Sequence, residues 1–207
     1  GYDLLDENSI FEYGYNESKN VITSLEMERL INSSGPTSGD IVLPENNEKP
    51  KSITYILCAG SRDETNCSWC CRIGCMSALK QIYLIREKDP EVEINLCYTD
   101  IRSYGKGYEE FYRNIRGFKP NMFRGRPSEV RKAGKDLIVE VFDTMTSKLF
   151  ELKSDMVVIV PALVPRSDAE DLAKKLRISQ SNDGFFLEAH PKLKPMDTAT
   201  GGIFLAG

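Results

Sequence analysis

Short apolar runs alternate with amphipathic stretches from Lys51 onward. Runs rich in β-branched and aromatic residues predict strands, and stretches with apolar residues at helical spacing predict helices between them. In chain order these elements are the strand Ile53–Cys58, the helix Met76–Lys88, the strand Val92–Tyr98, the helix Gly107–Ile115 and the strand Asn121–Arg124. This β-α-β-α-β order favours a mostly parallel sheet with right-handed crossovers, and therefore an α/β domain.

The second half of the chain has a different pattern. Leu137–Phe142 and Lys148–Leu152 are strand-like runs joined by a turn-like DTMTS, and they predict an antiparallel hairpin of a β-meander. Met156–Pro161 predicts a strand that returns to the core. Ser167–Leu176 predicts a helix, with Ser167 and Glu170 spaced as a capping box. The final GGIFLAG is an apolar run that predicts one more strand.

The first fifty residues look like an approach segment. Val21–Ile31 predicts a helix, and the glycine- and proline-rich stretch up to Pro50 predicts a long connection. We therefore expect three parts: an approach segment over 1–50, a domain with a β-meander over 51–162, and a return segment over 163–207.

Composition excludes several function classes. The chain is 41% hydrophobic and 28% charged, an ordinary globular mixture, and its formal net charge is -4. No basic field is available for nucleic acid, and no apolar run reaches the roughly 20 residues of a membrane span. The acidic start does not look like a signal peptide. We expect a cytoplasmic protein that neither binds nucleic acid nor spans a membrane.

Five of the six cysteines lie in one loop, CAGSRDETNCSWCCRIGC, between Cys58 and Cys75. This loop follows the first predicted strand and precedes the first helix, where a dinucleotide-binding unit carries glycines that approach the pyrophosphate. Four thiolates in such a loop can hold an iron–sulfur cluster or a structural zinc. A second interpretation is a redox dithiol formed by Cys67 and Cys70. Cys97, in the middle of a strand, is predicted to be a core residue.

The residues also carry a family resemblance. ITYILCAGSRDE, CMSALKQ and YTDIRSYGKGYEEFY, in this order, resemble the HdrA family, the iron–sulfur flavoproteins of heterodisulfide reductases, and related flavoproteins of sulfur metabolism. NVITSLEMERLINSSGPTSGDIVLP and EAHPKLKPMDTATGGIFLAG extend the resemblance over nearly the whole chain. It implies a Rossmann-like, three-layer domain on the thioredoxin-reductase-like scaffold that binds FAD and NAD(P). It also implies a [4Fe-4S] cluster where a nicotinamide would otherwise bind.

The same resemblance implies a set of ligands. Matching the family pattern at Cys-Ser selects Cys67, Cys70 and Cys71, whereas matching at the helix entry selects Cys70 and Cys75 and places Gly74 at one expected ligand position. Cys58 and Cys70 belong to both alignments. Cys71 is expected under either, and Cys67 and Cys75 compete for the last place.

Further site residues follow from the resemblance. Lys80 matches the family lysine that approaches the flavin N5 and is the candidate catalytic residue. The other flavin-side candidates are Glu26, Glu28, Asp197, Thr198 and Thr200. His190, the only histidine, is predicted to be structural.

The resemblance finally implies an assembly. The family's FAD-binding glycine fingerprint lies upstream of this segment, so the chain is expected to be a fragment that is inactive alone. In the intact protein, electrons would pass between FAD and the cluster. The expected partners are the other subunits of an electron-transfer complex, with a homodimer as an open alternative. The competing functions are a thioredoxin-reductase-like dithiol oxidoreductase and a zinc-stabilised interaction domain.

Overall fold

The computed structural model describes residues 1–206 and divides the chain into two compact units. One unit is Asp6–Pro161, and the other combines Gly1–Leu5 with the chain from Ala162 onward. The strands of the described residues are β1 Tyr2–Leu4, β2 Val21–Thr23, β3 Ser52–Ala59, β4 Glu93–Tyr98, β5 Asn121–Arg124, β6 Pro127–Ala133, β7 Asp136–Asp143, β8 Lys148–Ser154, β9 Met156–Pro161 and β10 Leu163–Pro165. The α-helices are α1 Ser24–Ile31, α2 Gly74–Lys88, α3 Tyr108–Gly117 and α4 Ala169–Leu176, and a 3-10 helix spans Glu7–Tyr13.

A five-stranded parallel sheet forms the centre of the larger unit. Its strand order is β2-β9-β3-β4-β5, and every pair of neighbours runs parallel. The predicted β-α-β-α-β order is therefore confirmed over β3 to β5. The predicted return of Met156–Pro161 is confirmed too, because β9 lies between β2 and β3. All six β9 side chains are buried, as expected of a strand covered on both faces.

The two faces of this sheet are covered differently. On one face, Tyr55 of β3 packs in a single core with Met27 of α1 and Ile82 of α2. On the other face, Thr54 meets Ser154 of β8, with the two hydroxyl oxygens 2.5 Å apart. β6, β7 and β8 form a separate antiparallel sheet in that order. The result is a helix layer, a parallel sheet and a β-meander, which confirms the predicted α/β class.

Three local predictions are corrected. Val21–Thr23 is a strand and not the start of a helix, because Val21 and Ile22 are buried beside β9 and Thr23 caps α1. The strand β6 was not predicted, because its sequence PSEVRKA is charged and only Pro127 and Val130 are buried. The Ser167–Glu170 capping box does not form. Helix α4 begins at Ala169, its N-cap is Asp168 without a side-chain hydrogen bond, and the Ser167 N–H donates to Asp3.

The smaller unit contains an antiparallel pair and a set of turns. β1 pairs with β10, and α4 ends at Arg177 in a left-handed conformation. The strand predicted for GGIFLAG is reduced to one isolated bridge between Asp197 and Phe204, and its last residue, Gly207, lies outside the described residues. None of the helices within 1–206 is long and apolar enough to cross a bilayer.

Candidate cysteine-rich site

Cys58 lies at the carboxyl end of β3 in an unusual backbone conformation. Its φ is 59°, in the left-handed region that residues with a side chain rarely adopt. The register between β3 and β9 shifts at the same place, between Ile56 and Ala59, which marks a bulge. A left-handed residue on a bulge turns its side chain away from the regular alternation of the strand. Such outliers cluster at functional sites, which makes this strand end a candidate site.

The loop after Cys58 is held by its own backbone and by a distant arginine. The Arg62 N–H donates to the Trp69 carbonyl at 2.9 Å, and the Ser61 hydroxyl donates to the same oxygen at 2.7 Å. From 65 residues away, the Arg126 guanidinium donates to the Ser61 carbonyl at 2.6 Å and also reaches the Arg62 carbonyl. It forms an ion pair with Asp63 as well, at 3.5 Å. The loop therefore has a defined shape.

Four of the five loop thiols influence one another electrostatically. The pKa of Cys58 is raised by burial and then by the charges of Cys71 and Cys70, against the opposing effect of Arg62. The pKa of Cys75 is raised to about 11 by burial and then by the charges of Cys58, Cys71 and Cys70. Since charges act at this strength only over short distances, the thiols of Cys58, Cys70, Cys71 and Cys75 form one group. We call them the four-thiol group.

Backbone N–H groups point at two of these sulfurs. The Cys71 sulfur lies against the N–H groups of Gly74 and Ile73, and the Cys75 sulfur against the N–H of Arg102. These contacts lower both thiol pKa values, although burial, the largest effect, leaves them raised. Helix α2 has no side-chain cap at its N-terminus, so its free N–H groups are available to sulfur. Backbone hydrogen bonds to sulfur are typical of iron–sulfur ligation.

Cys67 and Cys97 stand apart from the four-thiol group. Burial raises the pKa of Cys67, and the only charge that adds to this is Asp63. Cys97 is fully buried in β4, and burial alone raises its pKa to about 12. All six cysteines are free thiols.

The donor set fits a thiolate-bound cofactor. Cys58 and Cys75 are buried, and Cys70 and Cys71 are half-buried, so the group combines a dry interior with limited access. Cys70 borders a cavity of about 330 Å³ together with Arg72, Arg102 and Tyr104. Across residues 1–206, no group of three or more histidine, cysteine or acidic side chains is closed around a position for a single metal ion.

Lys80 is paired with one of the two predicted glutamates. Its ammonium forms an ion pair with Glu28, and the Gln81 amide donates to the same carboxylate at 3.2 Å. Burial acts to raise the pKa of Glu28, but the bonds from Lys80 and Gln81 hold it below its ordinary value. Glu26 has a different place. It completes the capping box of α1 with Thr23 and accepts from the Tyr15 hydroxyl at 3.0 Å.

The remaining predicted site residues belong to the smaller unit. The Thr198 hydroxyl donates to the carbonyls of Thr200 and Ile203 at 2.8 and 2.9 Å, and the Thr200 hydroxyl donates to the Arg177 carbonyl at 2.6 Å. The Asp197 carbonyl accepts from the Ala189 N–H. These three residues therefore shape a compact turn.

His190 also serves a turn, because its Nδ1 accepts from the N–H groups of Lys192 and Leu193.

Sequence reasoning missed the basic residues around the loop. Asp100 binds Arg62 at 2.6 Å and Arg102 at 3.2 Å, so it links the loop to the end of β4. Arg126 was not a candidate at all. Its partners lie more than sixty residues away, so spacing gives no signal for this contact.

Solved structures with a similar fold are flavin-dependent reductases. Thioredoxin reductase from Lactococcus lactis matches 100% of this chain and 55% of its own, with a TM-score of 0.53 at 16% identity. Thioredoxin reductase from T. acidophilum matches 100% of this chain and 54% of its own, with a TM-score of 0.52 at 14% identity. At these identities the comparison establishes the fold, which is the predicted thioredoxin-reductase-like scaffold.

Curated relatives share sequence over the whole chain. The A2 iron-sulfur subunit of CoB–CoM heterodisulfide reductase from Methanopyrus kandleri is 50% identical over 212 residues, and the HdrA protein of the H2:CoB-CoM heterodisulfide,ferredoxin reductase from Methanothermobacter marburgensis is 47% identical over 210 residues. Both alignments cover 100% of this chain and 32% of the relative. No family model matches the chain. The chain spans about a third of the length of these relatives, and it belongs to the HdrA family of heterodisulfide reductase subunits.

Proposed function

We propose that this chain is the cluster-carrying part of an oxidoreductase subunit that passes electrons between FAD and a [4Fe-4S] cluster. The observation that supports this proposal is the convergence of the four-thiol group at the carboxyl end of the parallel sheet, between β3 and α2. In a sheet of this kind the carboxyl ends of the strands border the crevice where cofactors bind. A cluster transfers single electrons, and FAD exchanges two.

The chain's own residues have distinct tasks in this proposal. Cys58, Cys70, Cys71 and Cys75 supply four soft thiolate ligands. Because burial raises the pKa of the Cys75 thiol to about 11, this residue is protonated at neutral pH without a metal, and binding of iron displaces the proton. Arg62 and Arg126 fix the loop and add positive charge that offsets part of the charge of the thiolates.

Lys80 is proposed to face the flavin in the intact protein. Its cation would favour negative charge on reduced flavin, and the bond to Glu28 would hold the ammonium in position. Glu26, which borders a cavity of about 710 Å³, and the turn of Asp197, Thr198 and Thr200 are proposed to lie on the flavin side as well.

The proposed division of the chain follows from these roles. Residues 1–50 and 163–207 would belong to the FAD-binding part of the intact protein, and 51–162 would form the cluster domain. The relatives are named as subunits, so the proposed partners are other subunits of a heterodisulfide-reductase-like complex. A homodimer and a cytoplasmic location remain predictions.

A metal analysis tests the proposal directly. The chain is reconstituted anaerobically with iron and sulfide, and then assayed for iron, zinc and acid-labile sulfide and by low-temperature EPR after reduction. Four irons and four sulfides per chain are expected of one [4Fe-4S] cluster. Cys58→Ala should abolish cluster binding, whereas the matched control Cys67→Ser should retain it. Stoichiometric zinc without labile sulfide would refute the proposal and favour an interaction domain.

The dithiol function uses the same two cysteine variants with a different readout. A metal-free chain that titrates reversibly with two electrons, and loses this titration in Cys67→Ser but not in Cys58→Ala, would establish a Cys67/Cys70 dithiol. The geometry supports this function less, because the charge acting on Cys67 is that of Asp63 and not that of Cys70.

A further inference from the structure

Gly74, the first residue of α2, has no side chain in a place where one would be directed at the cysteines. Its backbone is helical and its φ is not in the left-handed region, so the chain conformation alone would accept alanine. A Cβ built on Gly74 would lie 3.0 Å from the Cys71 sulfur and 2.7 Å from Val160 Cγ1. The space of a residue-74 side chain is therefore occupied by the thiol of Cys71.

A tight turn brings the Cys71 sulfur to this position. Arg72 is left-handed, with a φ of 65°, and the Ile73 N–H donates to the Cys71 carbonyl at 2.8 Å. The turn folds Cys71 back over the start of α2, where the N–H groups of Ile73 and Gly74 meet its sulfur. The N–H of Arg72 donates to the Cys70 sulfur at 3.3 Å, so the same turn also fixes the neighbouring thiol.

We infer that Gly74 is a positioning residue for the cofactor site, and that Cys71 delivers from the loop the thiolate that a cysteine at position 74 would deliver from the helix. The two positions are alternatives, because a side chain at 74 and the sulfur of Cys71 require the same space. Gly74 is small because Cys71 is present. The inference rests on the proposed cluster and assigns its fourth ligand to a relocatable position.

Relocation of the cysteine is the decisive experiment. Cys71→Ser should lose the cluster, and Cys71→Ser/Gly74→Cys should regain it, read as iron and labile sulfide per chain and as an EPR signal after reduction. A serine at 71 is close to cysteine in size, so far-UV CD should show the same fold in all these chains. Recovery of the cluster on moving one thiol is not expected of a merely structural glycine.

Gly74→Ala provides a second test that keeps every cysteine. The added Cβ should displace the Cys71 sulfur and weaken iron binding by about 10–100-fold, as is common when residues that orient metal ligands are changed. Gly117→Ala is the matched control. Gly117 is also helical, but its Cβ would meet nothing within 4 Å, so this variant should bind the cluster like the unaltered chain.

The outcomes separate this inference from the proposed function. If the unaltered chain binds no cluster, the proposed function itself is wrong. If the unaltered chain and Cys71→Ser both bind it, the function stands and the inference fails. A folded Cys71→Ser/Gly74→Cys chain without a cluster, or a Gly74→Ala chain that binds iron as well as Gly117→Ala does, also overturns the inference.

Discussion

The substitution Thr54→Val tests a chain of polar side chains that crosses the middle of the parallel sheet. Thr54 and Ser154 are fully buried, and their hydroxyl oxygens lie 2.5 Å apart. The Thr54 hydroxyl also accepts from the Asn95 amide at 3.3 Å, and the Asn95 carbonyl oxygen accepts from Asn121 at 2.9 Å. Valine has nearly the shape of threonine but no hydroxyl, so the substitution removes hydrogen bonds without opening a large cavity.

The expected cost follows from the groups that lose a partner. One buried donor or acceptor without a partner costs about 1–3 kcal/mol, and Thr54→Val leaves two, the Ser154 hydroxyl and the Asn95 amide. The bond to Asn95 is long, so we expect a loss of about 2–4 kcal/mol in the free energy of unfolding. Thr54→Ser keeps the hydroxyl and loses one methyl group, which should cost about 1 kcal/mol. In Thr54→Val/Ser154→Ala the hydroxyl without a partner is gone, so part of the loss should be recovered.

Urea unfolding measures these differences. The fluorescence of Trp69, the only tryptophan, reports on the larger unit, and far-UV CD reports on the whole chain. With a denaturant slope of about 1–3 kcal/mol per molar urea, Thr54→Val should lower the midpoint by about 1–2 M. A change within about 0.5 kcal/mol would refute the reasoning, since that is the usual range for substitutions away from structural features. A double variant less stable than Thr54→Val alone would refute it as well.

Three further predictions concern other groups. Asp155 accepts from the N–H groups of Lys51 and Ser52 at 2.7 and 3.1 Å, so Asp155→Ala should cost about 1–2 kcal/mol in urea unfolding, and Asp155→Asn, which keeps one acceptor oxygen, should cost less. The Thr146 hydroxyl and three backbone N–H groups hold the pKa of Asp143 below its ordinary value. Its contribution to stability is therefore complete above the ordinary aspartate pKa of about 3.9 and is lost as the pH falls through the lower folded-state pKa. Urea unfolding at successive pH values should show a smaller acid loss in Asp143→Asn; equal losses would contradict this. In the intact flavoprotein, Lys80→Met should make the flavin reduction potential more negative, while Lys80→Arg, which keeps the charge, should shift it less; a redox titration with no shift for Lys80→Met excludes the proposed contact.

The central part of the fold is predictable because its signals are local. The strands β3, β4, β5, β7, β8 and β9 and the helices α2 and α3 appear in the pattern within a few residues of their true ends. β2 is different. It has only three residues, and its strand character comes from pairing with β9, more than 130 residues along the chain. β6 also lacks a local signal, because β7 pairs with a segment whose exposed face is charged.

The membership of the cysteine group could not be derived from spacing, and the reason is physical. Spacing left Cys67 and Cys75 as equal rivals because it assumes regular backbone between cysteines. The loop instead contains three left-handed residues with side chains, Cys58, Arg62 and Arg72. Each costs roughly 1–2 kcal/mol, so no local propensity would predict them. Together they turn the chain so that the charges of Cys58, Cys70 and Cys71 act on Cys75, while Asp63 acts on Cys67.

This cost must be offset by contacts that only the folded chain provides. Arg62 is held by Asp100 from the end of β4, and the loop carbonyls are held by Arg126, which lies beyond β5. Both contacts come from elements later in the chain than the loop itself. The cysteine site therefore forms only after the sheet is assembled, and a ligand that binds the four-thiol group would stabilise the folded chain in proportion to its affinity. The loop's strained geometry and its unusual cysteine content are in this view two aspects of one binding site.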